Sequence, residues 1–116
     1  SGLGGGGDML TGNDSVDAWR NAMCGHAACN ILPVVASNRI GREYMTESPD
    51  VHLDFYGNSF IADHEGQVVA QAGRDQEEVL VHRFDFDQVK EYRDSWAVFR
   101  DRRPDLYGVL ATLDGA

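Results

Sequence analysis

The chain has 116 residues, of which 42% are hydrophobic, 25% charged and 9% aromatic, and its formal net charge is −9 at pH 7. This composition is typical of one soluble globular domain and excludes a disordered or fibrous chain. The acidic balance argues against nucleic-acid binding, which depends on clustered lysine and arginine. Because no apolar run could span a bilayer and no signal segment opens the chain, we expect a cytoplasmic protein.

Glycines dominate the first 13 residues, which we interpret as a loop or an expression remnant without a fold of its own, followed by a folded part over residues 14–116. Gly2, Gly4 and Gly7 formally match the dinucleotide-binding pattern. That pattern requires a strand before it and a helix opening on its last glycine, and the sequence predicts neither here. No cofactor is therefore expected.

The first predicted helix runs from Val16 to Asn30, and Trp19, Met23 and Ala27 share one apolar face. The preceding segment Asn13-Asp14-Ser15 is expected to cap it.

The helix contains the segment "MCGHAAC", which holds both cysteines of the chain, Cys24 and Cys29, and one histidine, His26. On a helix the two thiols diverge by roughly 140°, so one metal ion cannot easily take both. We therefore predict packing by small residues, with reduced thiols and without a metal site.

The residues that follow the first helix predict four strands. Buried strands are expected over residues 31–37 and 78–84, and a hairpin over 58–62 and 67–72 with its turn at 63–66. Residues 42–54 are polar, and we interpret them as a surface excursion with a turn at Pro49-Asp50.

A second helix is predicted through Val89, Tyr92 and Trp96, reaching to about Phe99, with Asp85 or Asp87 as its cap. The tail over residues 105–116 carries Leu106, Tyr107 and Leu110, whose apolar side chains we expect to pack on another subunit.

Two sets of polar residues are candidates for chemistry. Ser59, Asp63 and His64 are close in sequence, but His64 lies at a turn tip and no catalytic triad is expected. Asn38 follows a buried strand, where loops of a layered fold reach ligands, so we predict that it binds substrate; a structural hydrogen bond that closes the turn is the alternative.

Four segments in order resemble the C-terminal half of the nitrilase superfamily of carbon-nitrogen hydrolases. They are "GHAACNILPVVASNRIG", "FYGNSFIADHEGQVVAQA", "EVLVHRFDFDQVKEYRDSW" and "FRDRRPDLYGVLATLDG". The resemblance implies an α/β fold: half of a four-layer α-β-β-α sandwich. It also implies hydrolysis of an amide-type C–N bond by a cysteine nucleophile, a glutamate base and an oxyanion-binding lysine, without metal or cofactor.

All three catalytic positions of the family lie upstream of the matched segments, so no residue of this chain is predicted to be catalytic, and neither Cys24 nor Cys29 takes the nucleophile's place. Lys90 is the only lysine of the chain and lies outside any site motif. We therefore expect this chain to be inactive alone and to associate with the N-terminal half of the same protein.

Within the superfamily, the sequence is most similar to the branch that hydrolyses N-carbamoylputrescine to putrescine, ammonia and CO₂ in polyamine biosynthesis. That likeness implies a small carbamoyl-amine substrate and a homodimer or higher homo-oligomer, with no nucleic acid or membrane partner. The alternatives are a related substrate, such as β-ureidopropionate or an ω-amide, and a non-catalytic scaffold that keeps only the assembly surfaces.

Overall fold

A computed structural model describes residues 15–115, with Pro49 described by its main chain only; the predicted glycine-rich loop over residues 1–13 lies outside this range. The elements are α1 (Val16–Asn30), β1 (Val34–Ala36), β2 (Ile40–Met45), β3 (Ser48–Tyr56), β4 (Phe60–Ala62), β5 (Val68–Gln71) and α2 (Phe86–Trp96), followed by short 3₁₀ turns at Pro104–Leu106 and Gly108–Ala111. The strands form an antiparallel sheet of order β1-β4-β5 and a separate two-stranded sheet, β2-β3. Neither helix of the described range is long and apolar enough to cross a membrane.

Helix α1 confirms the prediction at both ends; of the predicted capping segment only Ser15 can be compared, because Asn13 and Asp14 lie outside the described residues. Ser15 occupies the N-cap position, but its side chain makes no capping hydrogen bond. At the other end Ile31 adopts a left-handed conformation, and the amides of Ile31 and Leu32 donate to the carbonyls of Ala28 and Ala27. This closed C-terminus is followed by Pro33, which cannot continue a helix, so β1 begins only at Val34 instead of at residue 31.

The core forms where α1 lies on the three-stranded sheet. Ala27, Phe60 and Ala62 are fully buried, and the predicted apolar face of α1 packs against them through Trp19 and Met23. The Trp19 ring meets the Phe60 ring edge-on, with centroids 5.3 Å apart. Period-3.6 spacing on the helix and period-2 spacing on the strand therefore converge on one small core.

The small residues of "MCGHAAC" allow the turn between β4 and β5 to approach the helix. A Cβ atom built on Gly66, whose φ is +83°, would lie 2.8 Å from the carbonyl oxygen of Cys24 and 3.1 Å from the Cβ of Ala28. Cys24 itself packs against the core and Cys29 is exposed, both as free thiols. This part of α1 is thus a packing surface, as predicted.

Residues 42–54 lie on the surface, as predicted, but they belong to two strands, which the predicted excursion between strands did not include. β2 and β3 pair antiparallel into a hairpin whose bend lies at Thr46-Glu47, not at Pro49-Asp50. Val51, Leu53 and Phe55 alternate with His52 and Asp54, which is the period-2 pattern of a strand, so β3 could have been predicted from the sequence. A bidentate Arg42–Asp54 ion pair, with N···O distances of 2.6 and 2.8 Å, crosses the hairpin and lowers the pKa of Asp54.

Helix α2 lies beside the carboxyl end of α1. Asp85 is its N-cap, accepting from the amides of Asp87 and Gln88, and a left-handed Ala97 ends it, so the predicted continuation to Phe99 is wrong. The guanidinium of Arg93 donates to the carbonyls of Asn30 and Ile31, the last acceptors of α1. A cation at this position also interacts favourably with the negative, carboxyl-terminal end of the α1 helix dipole.

The predicted strand over residues 78–84 does not form. This segment has no assigned secondary structure and is unpaired within residues 15–115, and Val79 and Val81 are 90% and 85% exposed. A segment becomes a strand only when a neighbour supplies hydrogen-bond partners, and none of the described strands pairs with it. The tail is also exposed, with Leu110 at 80%.

The contact at Gly66 can be tested against Gly41, which has a similar φ of +89° but no atom within 4 Å of the position that an added Cβ would occupy. Gly41→Ala is expected to lower the unfolding free energy of the complete protein by about 1–2 kcal/mol, the conformational cost alone. Gly66→Ala adds a clash with the α1 main chain and is expected to cost at least ~1 kcal/mol more. Chemical denaturation measures both losses, and equal losses would contradict the close helix–turn contact.

Candidate functional site

The strongest candidate for a functional site is the junction between the two sheets, formed by residues 37–39 and 57–59. Ala36 pairs with Phe60 in one sheet and Ile40 with Tyr56 in the other, so the same register continues across the junction. β1-β2 and β3-β4 are therefore the two arms of one long antiparallel hairpin whose ladder is interrupted for three residues on each side. Side chains replace part of the missing ladder.

Asn38 makes most of these substitute hydrogen bonds. Its Nδ2 donates to the Gly57 carbonyl at 2.8 Å, and its Oδ1 accepts from the Arg39 amide at 2.8 Å. The main-chain N–H of Asn38 donates to Ser59 Oγ at 2.9 Å, and the Ser59 hydroxyl donates to the main-chain carbonyl of Asn38 at 3.3 Å. One direct main-chain bond remains, from the Gly57 amide to the Arg39 carbonyl at 2.9 Å.

The opposite side of the junction contains two consecutive residues with positive φ, Gly57 and Asn58. A Cβ at Gly57 would lie 2.6 Å from the Arg74 carbonyl oxygen, so only glycine fits. Asn58 is buried; its Nδ2 donates to the Tyr56 carbonyl at 2.6 Å and its Oδ1 accepts from Gln71 Nε2 at 3.2 Å. Gly-Asn between two strands usually signals a hairpin, but β3 and β4 do not pair with each other here, so that signal would have predicted the wrong pairing.

The structure thus places Asn38 at a strand-to-loop turn, with its amide bonded to the main chain. These bonds are the ones expected if Asn38 has a structural role. They use one of the two N–H groups on Nδ2 and one of the two lone pairs on Oδ1. Its binding of substrate stays a prediction.

The other polar candidates are occupied in structural roles. Asp63 Oδ1 accepts from the amides of Glu65 and Gln67 and so shapes the β4-β5 turn. The His64 ring packs against Tyr92 of α2, with centroids 5.2 Å apart. With the Ser59 hydroxyl bonded to Asn38, these three side chains form no hydrogen-bonded triad in the described structure.

Cys24, His26 and Cys29 are likewise not assembled into a metal site. Over residues 15–115 the structure brings together no group of three or more histidine, cysteine, aspartate or glutamate side chains that could hold an ion. Lys90 is exposed on α2 and pairs with Asp94, four residues on, which raises the pKa of its ammonium group. In the described part of the chain this lysine is a surface cation.

The junction offers hydrogen-bond donors and acceptors held in place by the bonds of Asn38 and Asn58. A model of the carbon-nitrogen hydrolase family matches residues 8–94. The chain belongs to this family. Its helices and strands are a part of the nitrilase fold, and the remainder of that fold is not contained in the described residues.

Curated relatives agree with this assignment. The chain is 56% identical over 105 residues to the N-carbamoylputrescine amidase of Arabidopsis thaliana, and the aligned region covers 90% of this chain and 35% of that protein. It is 48% identical over 95 residues to a citrullinase of Francisella tularensis, covering 81% of this chain and 32% of the relative. The chain therefore spans about a third of the length of these relatives.

Solved structures also match. The crystal structure of a carbon-nitrogen hydrolase from Helicobacter pylori G27 superposes with a TM-score of 0.76 at 35% identity, covering 84% of this chain and 33% of that one. A hydrolase-superfamily protein from Xanthomonas campestris superposes with a TM-score of 0.61 at 25% identity. The described chain is accordingly a folded portion of a larger hydrolase-type architecture.

Asn38→Ala in the complete protein tests the structural role of this residue at the junction. Because it leaves the part-buried Gly57 carbonyl without its Asn38 partner, we expect a loss of about 1–3 kcal/mol in unfolding free energy. The control is Asn30→Ala, which removes an exposed local bond to the His26 carbonyl and should change stability by less than about 0.5 kcal/mol. An unchanged melting temperature for Asn38→Ala would contradict the bracing role.

Proposed function

We propose that the complete protein is an amidohydrolase that converts N-carbamoylputrescine to putrescine, ammonia and CO₂. The observation that carries this proposal is the similarity to N-carbamoylputrescine amidases of four plants, at 53–56% identity over 88–90% of this chain. The net charge of −9 agrees with a cationic amine substrate.

The proposed chemistry requires a cysteine thiolate that attacks the carbamoyl carbon, a glutamate that takes the thiol proton, and a lysine that with main-chain donors stabilises the tetrahedral oxyanion. All three belong to the part of the protein upstream of this chain. The present chain supplies the β1-β4-β5 sheet, the helices that cover it and the polar junction. Asn38 is the residue that we propose at the rim of the substrate pocket.

The similarity to a citrullinase favours a second candidate substrate. Citrulline and N-carbamoylputrescine carry the same terminal ureido group on an alkyl chain, so one catalytic centre suits both. They differ at the far end, where citrulline has an α-carboxylate beside its amine. Discrimination between them therefore depends on the charge that the pocket presents to that end.

Steady-state kinetics on the complete protein distinguish these substrates. We expect kcat/KM for N-carbamoylputrescine to exceed that for citrulline and for β-ureidopropionate by at least about 100-fold, because an unpaired carboxylate in the pocket is costly. The 116-residue chain alone should show no turnover. A preference for either acid would overturn the substrate assignment.

A non-catalytic scaffold of the same family is the remaining alternative. Intact mass of the denatured natural protein, with sequencing of every fragment, separates the two possibilities. A polypeptide that carries the cysteine, glutamate and lysine supports the enzyme, and a natural protein that lacks them supports the scaffold.

We also propose that the complete protein assembles as a homodimer or a higher homo-oligomer. Support comes from the tail, where Leu106, Tyr107 and Leu110 are exposed although they are large and apolar. Contiguous apolar side chains on a surface are typical of an interface. The small-residue surface of α1 around Gly25 also permits close approach of a second copy.

Truncation after Arg103 tests the assembly. Sedimentation of the complete protein at micromolar concentration should give at least a dimer. The truncated form should shift toward monomer and melt at a lower temperature, because the apolar contacts between the tail and the second copy are removed. Leu113→Ser is a single-residue companion variant that keeps the chain length. A monomeric wild type, or a truncation that leaves assembly unchanged, contradicts the proposal.

A further inference from the structure

A cavity of about 280 Å³ lies at the carboxyl end of α2. It is lined from the last turn of the helix by Arg93 and Asp94, from the C-cap by Ala97, and from the residues that follow by Phe99 and Arg100. None of these residues belongs to the sheet junction. The cavity is therefore a second place in the described fold where a ligand can bind.

Arg93 is held in place by α1 and keeps unused donor groups. Its Nη2 atom donates to the main-chain carbonyls of Asn30 and Ile31, at 3.1 and 3.2 Å. Its Nε atom is enclosed without a hydrogen-bond partner, and its Nη1 atom makes no hydrogen bond within residues 15–115. A guanidinium carries five N–H donors and no acceptor. Since Nε is enclosed and Nη2 is bonded, Nη1 is the nitrogen that remains for an acceptor in the cavity.

Arg100 supplies a second guanidinium group at the same cavity. Its Nε donates to the Asp101 carboxylate at 3.0 Å, and its side chain is 75% exposed, so its other N–H groups can turn toward a ligand. Among the lining residues Asp94 is the one acidic side chain, and Lys90 pairs with it. The negative charge of Asp94 is thereby offset, and the two arginines determine the charge that a ligand meets.

The charge around the cavity is opposite in sign to that of the whole chain. Residues 93–103 carry four arginines and two aspartates, whereas the chain has a formal net charge of −9. The carboxyl end of α2 disfavours an anion, but a helix dipole corresponds to roughly half an elementary charge and acts only near the last turn. Two guanidinium groups outweigh that effect, so the cavity favours an anionic ligand.

The other lining residues are apolar and indicate what the anion is attached to. Phe99 is 47% exposed although its side chain is large and apolar. The guanidinium of Arg102 lies over the Phe99 ring, with Cζ 4.9 Å from the ring centroid, and Arg102 Nε donates to the Phe99 carbonyl at 2.9 Å. A phenyl ring held in this way, next to the methyl group of Ala97, suits an apolar ligand surface better than an inorganic ion.

We propose that this cavity binds a small organic carboxylate, one oxygen of which accepts from Arg93 Nη1 and the other from Arg100, while its apolar part covers Phe99. Guanidinium groups match a carboxylate both in charge and in the direction of their N–H groups. The site goes beyond the proposed hydrolysis, and neither proposal rests on the other.

Benzoate is the probe that tests this site, because it joins a carboxylate to an apolar ring. Titration calorimetry on the complete protein, at constant ionic strength and without substrate, should give a dissociation constant of about 0.1–10 mM, as expected for so small a ligand. Benzamide has the same shape without the charge and should bind at least about 10-fold more weakly. No measurable binding at about 50 mM benzoate overturns the proposal.

Arg100→Gln is the decisive variant, because the side chain is exposed and its loss should leave the fold intact. It should weaken benzoate binding at least about 5-fold, since a charge-assisted hydrogen bond is lost. The matched control is Arg103→Gln, which removes an exposed arginine that pairs with Asp105 and does not line the cavity. The control should change the benzoate affinity by less than about 2-fold, because exposed charges outside the site are screened by salt.

Arg93→Gln should weaken benzoate binding as well. It should also lower the melting temperature, because the carbonyls of Asn30 and Ile31 lose the Arg93 donor. If this variant does not fold, the comparison of Arg100→Gln with Arg103→Gln decides the question alone.

Three further outcomes overturn the proposal. A benzoate affinity that Arg100→Gln leaves unchanged places the ligand elsewhere in the protein, as would binding at the catalytic centre. Equal weakening by Arg100→Gln and Arg103→Gln means a general effect of charge. Inorganic phosphate that binds more tightly than benzoate, with the same dependence on Arg100, means that the ligand class is wrong. Because these measurements need no turnover, failure of this site and failure of the proposed hydrolysis are told apart.

Discussion

The hydrogen bond from the Asn38 side chain to the Gly57 carbonyl is the interaction on which the rest of this structure depends. It lies where a single long hairpin changes from one sheet to another and the strand ladder is interrupted for three residues on each side, with one main-chain hydrogen bond left between Gly57 and Arg39. Main-chain groups at such a place need other partners, because buried polar groups without bonds are costly. Asn38 and Ser59 supply them, and the register is kept across the gap.

The junction separates two regions that are stabilised by different interactions. On one side the sheet β1-β4-β5 is covered by α1, with Phe60 and Ala62 in a dry core, so its stability comes from apolar burial. On the other side the β2-β3 hairpin is held by main-chain pairing and by exposed ion pairs such as Arg42–Asp54, each of which contributes little in water. The end of the hairpin nearest the core is therefore the junction, where Gly57 is bonded to Asn38 and Asn58 to Gln71.

The described residues form only part of the fold of this family. They include a helix-covered sheet, the exposed side chains of Val79 and Val81 in an unpaired segment, and a polar junction beside the buried Tyr56 hydroxyl. The exposed apolar side chains, and relatives of which this chain spans about a third, agree with a folded unit larger than residues 15–115.

The sequence by itself determined the elements whose pattern is local. These elements are the bounds of α1, the β4-β5 hairpin with its turn at 63–66, and a cap of α2 at Asp85 or Asp87, of which the structure uses Asp85. They follow from helical spacing, turn residues and capping chemistry within short windows. Only the tertiary structure decided the rest. It paired the polar residues 42–54 into strands and left 78–84 unpaired, because a strand exists only through its neighbour. It also joined Asn38 to Gly57 and enclosed the Tyr56 hydroxyl, since such contacts link residues that only folding brings together.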